Sequence, residues 1–288
     1  RAERATRMKD FLLSVFREAS PQQRMRGEPL SIEELLDAAE ARIDTELAAD
    51  PLLQADLWDD LAETRASAGD LERASALIEK AIGTKRAQLD ADDLSIVESL
   101  TNQGAIWNLE GQPARALAAF DEAVAILERR GESGSEAAAI AVNNRVQALL
   151  MLGRNDEAAV AVETAHALVL RWRPGSPDAA MQRVNAGIVA QRRGLYPEAR
   201  DHFERAVVEL EAVVGPDHAL VRVPLGWLGL LYEDHLGDPA RAVSYFERCV
   251  AISRLRYPKG AATIVKFETD LARARAKSAT QTGTASAR

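Results

Sequence analysis

The chain has 288 residues, with 36 Lys and Arg against 44 Asp and Glu, a formal charge of −8, and it is 47% hydrophobic but only 5% aromatic. That acidic balance argues against a nucleic-acid partner, since phosphate binding needs concentrated Lys and Arg. A single cysteine, Cys249, offers no disulfide within the chain, and no apolar run reaches the length of a membrane span. Small apolar residues dominate, which points to alanine-rich helices rather than to sheet.

Residues 1–19 read as one helix, with Ala5, Met8, Leu12, Val15, Phe16 and Ala19 on one stripe and Arg1, Arg4, Arg7 and Lys9 elsewhere. A helix docked on the rest of the chain fits this better than a membrane-surface helix, because the basic residues are few and mixed with acids. A polar connector follows over 20–30. Ser31 then opens a capping helix over 31–51: Glu34 stands three residues on, as in a capping box, and Leu30 and Leu35 are spaced as a hydrophobic staple.

From residue 52 to 260 one pattern recurs five times: a glycine, an alanine five residues later, and a small residue seven further on. The copies are Gly69-Ala74-Ala81, Gly111-Ala116-Ala123, Gly153-Ala158-Ala165, Gly194-Ala199-Ala206 and Gly237-Ala242-Cys249, and their glycines step by 42, 42, 41 and 43 residues. Such a period signals a stacked array. The glycine sits where one helix must stop and the next begin. The two small residues lie two turns apart on one face and let helices approach closely. Between them stands a larger apolar residue, Ile78, Phe120, Val162, Phe203 or Phe246, which fills the space between hairpins. A lone hairpin cannot bury both faces, so each copy needs its neighbour. Cys249 occupies a small packed position, which makes it inert.

Connectors rich in Gly, Pro, Ser and Asp separate the copies, at Asp90–Asp93, Gly131–Gly134, Pro174–Pro177 and Gly215–His218. Asp92, Asp93 and Asp217 are placed to cap the helices that follow. Residues 261–277 read as a C-terminal capping helix, with Ile264, Phe267, Leu271 and Ala274 along one face. Residues 278–288 are small and polar and read as a disordered tail.

These residues resemble the tetratricopeptide repeat, whose signature sets Trp, Leu, Gly and Tyr on a first helix and Ala, Phe and Ala on a second. Repeat five matches best, with Leu225, Leu228, Gly229 and Tyr232, then Ala242, Phe246 and Cys249, and one extra residue between the halves. Repeat one has Trp58 and Leu61 with Ala62 in the glycine's place; repeat two has Leu100, Gly104 and Trp107. Repeat four keeps Gly187 but has Ala190 where an aromatic is usual, and repeat three is most degenerate, with Val142, Val146 and Leu149. The common period is about 34 residues. The longer period here resembles the kinesin-light-chain type, and the likeness covers residues 52–255. It implies an all-α superhelical solenoid of about five hairpins with capping helices at both ends.

A second resemblance rests on the first fifty residues. An arginine-rich helix with Phe11-Leu12-Leu13, Phe16 and Ala19-Ser20-Pro21, followed by Glu34-Leu35-Leu36-Asp37, Arg42-Ile43 and Glu46-Leu47, is similar to the segment joining the membrane helix to the repeats in bacterial transmembrane Ser/Thr protein kinases. The chain carries no kinase motif itself: it has no glycine-rich phosphate loop, His-Arg-Asp or Asp-Phe-Gly. Beginning at Arg1, it is read as part of a longer protein.

No catalytic or metal-binding constellation appears. The four histidines are scattered without ligand spacing, and no nucleophile elbow, Walker loop or cysteine pair is present. No cofactor or metal is expected, and no enzyme. The repeat resemblance places Asp56, Asp59, Asp60 and Glu63 on a first helix facing the inner groove; an exposed acidic helix face is the alternative. Asn102, Asn144 and Asn185 share one repeat position, in steps of 42 and 41. Tetratricopeptide proteins that bind extended peptides use groove asparagines of this kind, because an amide offers both a donor and an acceptor to a peptide unit. Packing bonds within the helix pairs are the alternative. The lysine-asparagine clamp for C-terminal carboxylates of chaperone-binding relatives is missing.

The expected function is non-catalytic binding of a protein or extended peptide in the groove, as the sensory or interaction region of a membrane-anchored bacterial Ser/Thr kinase. Its place would then be the extracytoplasmic side of the inner membrane. The alternative is a stand-alone cytoplasmic adaptor or regulator.

Overall fold

The computed structural model describes residues 31–286, with side chains to residue 281. The helix and connector expected over 1–19 and 20–30, and Leu30 of the staple, lie outside the described residues. Among the described residues every regular element is helical and no strand forms. The chain divides into two compact units, one ending at Ser133 and the other starting at Gly134.

The first unit contains α1 (Ile32–Glu46), α2 (Pro51–Ala68), α3 (Leu71–Gln88), α4 (Leu94–Leu109) and α5 (Pro113–Arg129). The capping box forms: Glu34 N–H donates to Ser31 Oγ at 3.1 Å and Ser31 N–H donates to Glu34 Oε2 at 2.9 Å. Helix α2 pairs with α3 and α4 with α5, and α3 packs on α4. Helix α1 is held by Arg65 of α2, whose fully buried guanidinium reaches Asp37 and Glu40 at 2.8 Å each and Asp70 at 2.9 Å. Those three carboxylates make a buried cation tolerable. Asp93 caps α4, accepting from Ser95 N–H at 2.9 Å.

The second unit contains α6 (Glu136–Met151), α7 (Asn155–Trp172), α8 (Pro177–Arg192), α9 (Tyr196–Val214), α10 (Arg222–Asp234), α11 (Pro239–Arg256) and α12 (Ala262–Ser286). Three hairpins, α6 with α7, α8 with α9 and α10 with α11, pack in succession, and α12 covers α11. The fourth connector behaves differently from expectation. His218, not Asp217, supplies the cap there, its Nδ1 accepting from Leu220 N–H at 3.2 Å at the start of a single 3₁₀ turn, Ala219–Val221.

The five repeating glycines carry the stop. All hold positive φ, from 66° to 90°, a region that side chains with a Cβ avoid. After four of them the next N–H closes back five residues, as in Asp70 to Arg65 at 2.9 Å and Gln112 to Trp107 at 2.8 Å. Repeat five absorbs its extra residue with a longer closure, Asp238 N–H to Tyr232 O at 3.0 Å. The small residues of every copy, Ala74 through Cys249, are fully buried.

Helix packing follows a volume rule that runs through the repeats. A Cβ built on Gly104, Gly187 or Gly229 would lie 2.5, 2.5 or 2.6 Å from the ring of Phe120, Phe203 or Phe246. The smallest residue on a first helix therefore faces the largest on its second. Repeat one has Ala62 with Ile78 at the same positions, and repeat three has Val146 with Val162, all buried. Bulk moves from one helix to the other while the joint stays filled, as close-packed interiors require.

At the far end, Glu233 of α10 has a fully buried side chain bonded to Arg273 at 2.7 Å and Lys277 at 2.9 Å, both on α12. Burial pushes the pKa of this carboxyl up, but the bonds from Arg273 and Lys277 outweigh it and hold it below the usual range. Ile264, Phe267, Leu271 and Ala274 are buried, the face expected of a capping helix. That helix continues to Ser286, through most of the stretch read as a tail. Extending a formed helix adds one bond per residue without a new nucleus, so even a polar sequence can follow it. Thr280 Oγ1 donates back to Ala276 O at 3.0 Å and Gln281 Nε2 donates to Gly237 O at 3.3 Å.

Candidate functional site

In the first unit the acidic residues of α2 divide into two pairs. Lys85, from the second helix α3, is buried and reaches Asp59 at 2.8 Å and Asp56 at 3.2 Å. Its ammonium also donates to Ser99 Oγ on α4 at 2.8 Å, and Ser99 Oγ bonds Asp59 in turn. Asn102 completes the cluster, donating from Nδ2 to Asp59 Oδ1 at 2.9 Å. Asp59 is thus buried in a network joining three helices, and one amide donor of Asn102 is used inside it. Removing Lys85 would leave a buried carboxylate uncompensated, a loss of roughly 3–5 kcal/mol for such pairs.

Asp60 and Glu63 remain on the exposed side of α2, and neither carboxylate makes an ion pair among the described residues. Asp60 is pushed up to about 6, first by desolvation from the protein around it and then by the charges of Asp59, Asp56 and Glu63. Water reaches this carboxyl, yet protein and like charge crowd one side of it. The four acids read together from the sequence therefore differ in role: Asp56 and Asp59 face inward to Lys85, while Asp60 and Glu63 stay open to solvent.

In the second unit the sequence-predicted Asn144 and Asn185 belong to one chain of amides, and its hub is Asn143. Asn143 Oδ1 accepts from Asn185 Nδ2 and from Gln182 Nε2, each at 2.9 Å. Asn143 Nδ2 points to Asn144 Oδ1 at 3.4 Å. The chain links first helix α6 to first helix α8, and its three asparagines are only half-buried. Asn143 and Gln182 were not singled out by the repeat phase. Asn143 lies one residue off the phased position, and Gln182 lies three before Asn185, one helical turn away on the same face.

Beside this chain lies a small recess of about 150 Å³, open on one side to solvent, among α6, α7 and α8. Ile140, Val169 and Trp172 give it apolar walls, and Asn143 and Gln182 line it as well. Nothing in the sequence marked it, because Trp172 closes a second helix outside the repeat signature.

The lone cysteine offers no chemistry. Cys249 is fully buried, and burial pushes its thiol up to about 12, far from the thiolate a nucleophile needs. No described helix is long and apolar enough to cross a membrane.

A family model described as tetratricopeptide repeat matches residues 178–254, which run from α8 into α11. No curated protein matches the chain. Among solved structures, TPR-like repeats assigned to a kinesin light chain of Podosopora anserina are similar with a TM-score of 0.59 at 18% identity, over 70% of this chain and 96% of that one. A single-substitution variant of the same repeats gives 0.60 at 18% identity, over 69% and 93%. BtubC (BKLC) from P. vanneervenii gives 0.55 at 19% identity, over 88% and 94%. At such identities the likeness speaks for the fold, and with five hairpins of one repeating design and the family match it makes this chain an all-α tetratricopeptide-repeat array.

Proposed function

We propose that the chain is a non-catalytic scaffold that holds an extended protein segment along its first helices, as the interaction region of a membrane-anchored bacterial Ser/Thr kinase. The binding part rests on one observation: half-buried side-chain amides stand in a hydrogen-bonded chain across α6 and α8, through Asn144, Asn143 and Asn185. Amides so placed can read main-chain groups without demanding one side-chain sequence. Asn102 serves the first unit in the same way through its Oδ1, since its Nδ2 is committed to Asp59. Asp60 and Glu63 favour a segment with Lys or Arg at one end, with Asp56 and Asp59 setting the field behind them, and that contribution weakens with salt.

The kinase association rests on the sequence likeness of the first fifty residues, and with it goes placement on the extracytoplasmic side of the inner membrane. Sequencing upstream of Arg1 tests it: a kinase domain followed by one apolar span is expected. A start codon immediately upstream would replace this reading with a stand-alone cytoplasmic adaptor. The chain alone is expected to show no ATP hydrolysis and no phosphotransfer, and turnover that follows the protein peak through purification would overturn the scaffold reading.

For binding, the test is calorimetry of peptides selected from a display library against the full chain and against Asn102→Ala, Asn144→Ala and Asn185→Ala combined. Each lost amide contact should weaken binding by about 1–3 kcal/mol where the peptide group is left unpaired. A folded variant that binds with undiminished affinity would leave these asparagines a packing feature.

A further inference from the structure

In the first unit a second recess, of about 410 Å³ and open to solvent, lies among α3, α4 and α5. The second helices α3 and α5 flank it with charges in opposite order, so that they pair across the gap: Glu79 with Arg115 at 3.1 Å and Arg86 with Glu122 at 2.6 Å. These two rungs stand seven residues apart on each helix, about 10 Å at 1.5 Å per residue. Arg115 is further fixed by lying over the Trp107 ring, 4.1 Å from its centroid. The recess is therefore a box closed at both ends, and a peptide running along the helices would have to break a rung to enter it. Each cation at the rim is answered by a carboxylate, which leaves no free charge to attract an ion.

Between the rungs Ile82, Leu100 and Ala119 make a buried apolar floor. At the mouth both helices carry small residues, Gly83 and Ala118. Gly83 has no local reason to be glycine. It lies inside α3 without a positive φ, and a Cβ there would meet nothing within 4 Å, although alanine makes the better helix. What the missing side chain does is keep the mouth open.

One polar side chain of α4 lines the box. Gln103 is only 7% exposed and makes no hydrogen bond among the described residues. Unlike Gln182 Oε1, neither of its amide atoms is shut off from solvent. A buried amide left unpaired is costly, and this one can be reached. A carboxamide presents a donor and an acceptor side by side, so its complement is a group that presents an acceptor and a donor in the same plane.

We propose that this box binds a small, uncharged, planar molecule with a lactam or carboxamide edge, whose N–H is donated to Gln103 Oε1 and whose carbonyl accepts from Gln103 Nε2. Its apolar ring rests on Ile82, Leu100 and Ala119, and the two rungs limit its length to one or two fused rings. None of these residues belongs to the peptide contact proposed above, so either reading can fail without the other.

The test is a titration of the full ¹⁵N-labelled chain with quinolin-2(1H)-one, a neutral two-ring lactam, following the Gln103 side-chain N–H resonances, assigned with Gln103→Met, and the Trp107 indole N–H. The comparison probes are its N-methyl derivative, 2-naphthoate and capped Ala-Gln-Ala. The lactam should shift both sets of resonances saturably, and 2-naphthoate should not bind. N-methylation should weaken binding about fivefold or more in the wild type and make no difference in Gln103→Met, which keeps the bulk and removes the amide. Gly83→Leu, at an exposed site with no neighbour to displace, should fill the mouth and abolish binding while far-UV ellipticity stays unchanged.

Equal affinity for the lactam and its N-methyl form, an equal methyl penalty in wild type and Gln103→Met, or undiminished binding to Gly83→Leu would overturn the proposal. Capped Ala-Gln-Ala binding as tightly as the lactam would overturn it in favour of a side chain from a partner protein. Shifts that follow protein concentration alone would do so in favour of a second copy of the chain. No saturable shift with the lactam would leave Gln103 simply hydrated and the proposal refuted.

Discussion

Replacing Gly187 by alanine places a methyl group 2.5, 2.7 and 2.9 Å from three ring atoms of Phe203, where ordinary carbon contacts lie near 3.5–4.0 Å. The ring cannot retreat easily: Phe203 is fully buried, packed among Ala199, Ala206 and Leu210, and stacked on Trp227 at 6.1 Å between centroids. Overpacking of this kind costs about 1–3 kcal/mol, and the gain in helix propensity from Gly to Ala returns about 1. The net loss expected is about 1 kcal/mol, or roughly 2–4 °C in melting temperature for a unit of this size. Phe203→Ile alone should lose roughly 1–2 kcal/mol, a fraction of the 3–5 given by full truncation of a buried Phe. The double variant rebuilds the Ala62 and Ile78 pairing of repeat one, so it should be no worse than the weaker single variant. Urea unfolding followed by far-UV ellipticity and tryptophan fluorescence measures the three changes. If the array melts in steps, the step that reports Trp227 is the one to compare. Additivity of the two substitutions within about 0.5 kcal/mol would refute the volume rule, since independent sites behave that way.

Asp60 holds its proton to about pH 6 in the folded chain against an ordinary value of 3.8, so the folded state binds more protons than the unfolded one between those limits and stability falls as pH rises through them. Asp60→Asn should therefore gain at pH 7.5, by no more than about 1 kcal/mol once solvent screening is allowed for, and gain little at pH 4; a pH-independent difference in urea midpoint would contradict this. Cys249 should resist a thiol reagent such as DTNB at pH 8 in the native state, because its thiol titrates only at about 12, and reaction at the rate of a free thiol would show the burial to be wrong. Deleting residues 262–288 removes the buried face of Ile264, Phe267, Leu271 and Ala274 together with both cations on Glu233, and should lower solubility and melting temperature. Deletion of 278–288, which begins beyond Ala274, should do much less, and equal losses from the two deletions would remove the capping role of α12.

The sequence by itself determined the repeat and its hinges. Gly69, Gly111, Gly153, Gly194 and Gly237 read as helix stops because a left-handed stop is a local backbone demand, and all five meet it. The buried alanines and the large residue between them were legible for a similar reason, since periodic volume along a helix shows in the order of residues. The Ser31 and Glu34 capping box is local too. The membrane-kinase setting stays where it began, in the likeness of the first fifty residues.

Only the tertiary structure decided which polar groups meet. In sequence Lys85 is an ordinary cation on a second helix, and the fold buries it against Asp59 and Ser99, drawing in Asn102. Arg65 looks like one more surface arginine, yet it anchors α1. The repeat phase pointed to Asn144, and the fold made its neighbour Asn143 the hub between Asn185 and Gln182. Successive helix residues point about 100° apart, so which of two adjacent asparagines meets the next helix depends on how each helix is rotated in its packing. That rotation is set by volume pairs such as Gly187 with Phe203, whose two members come from different helices.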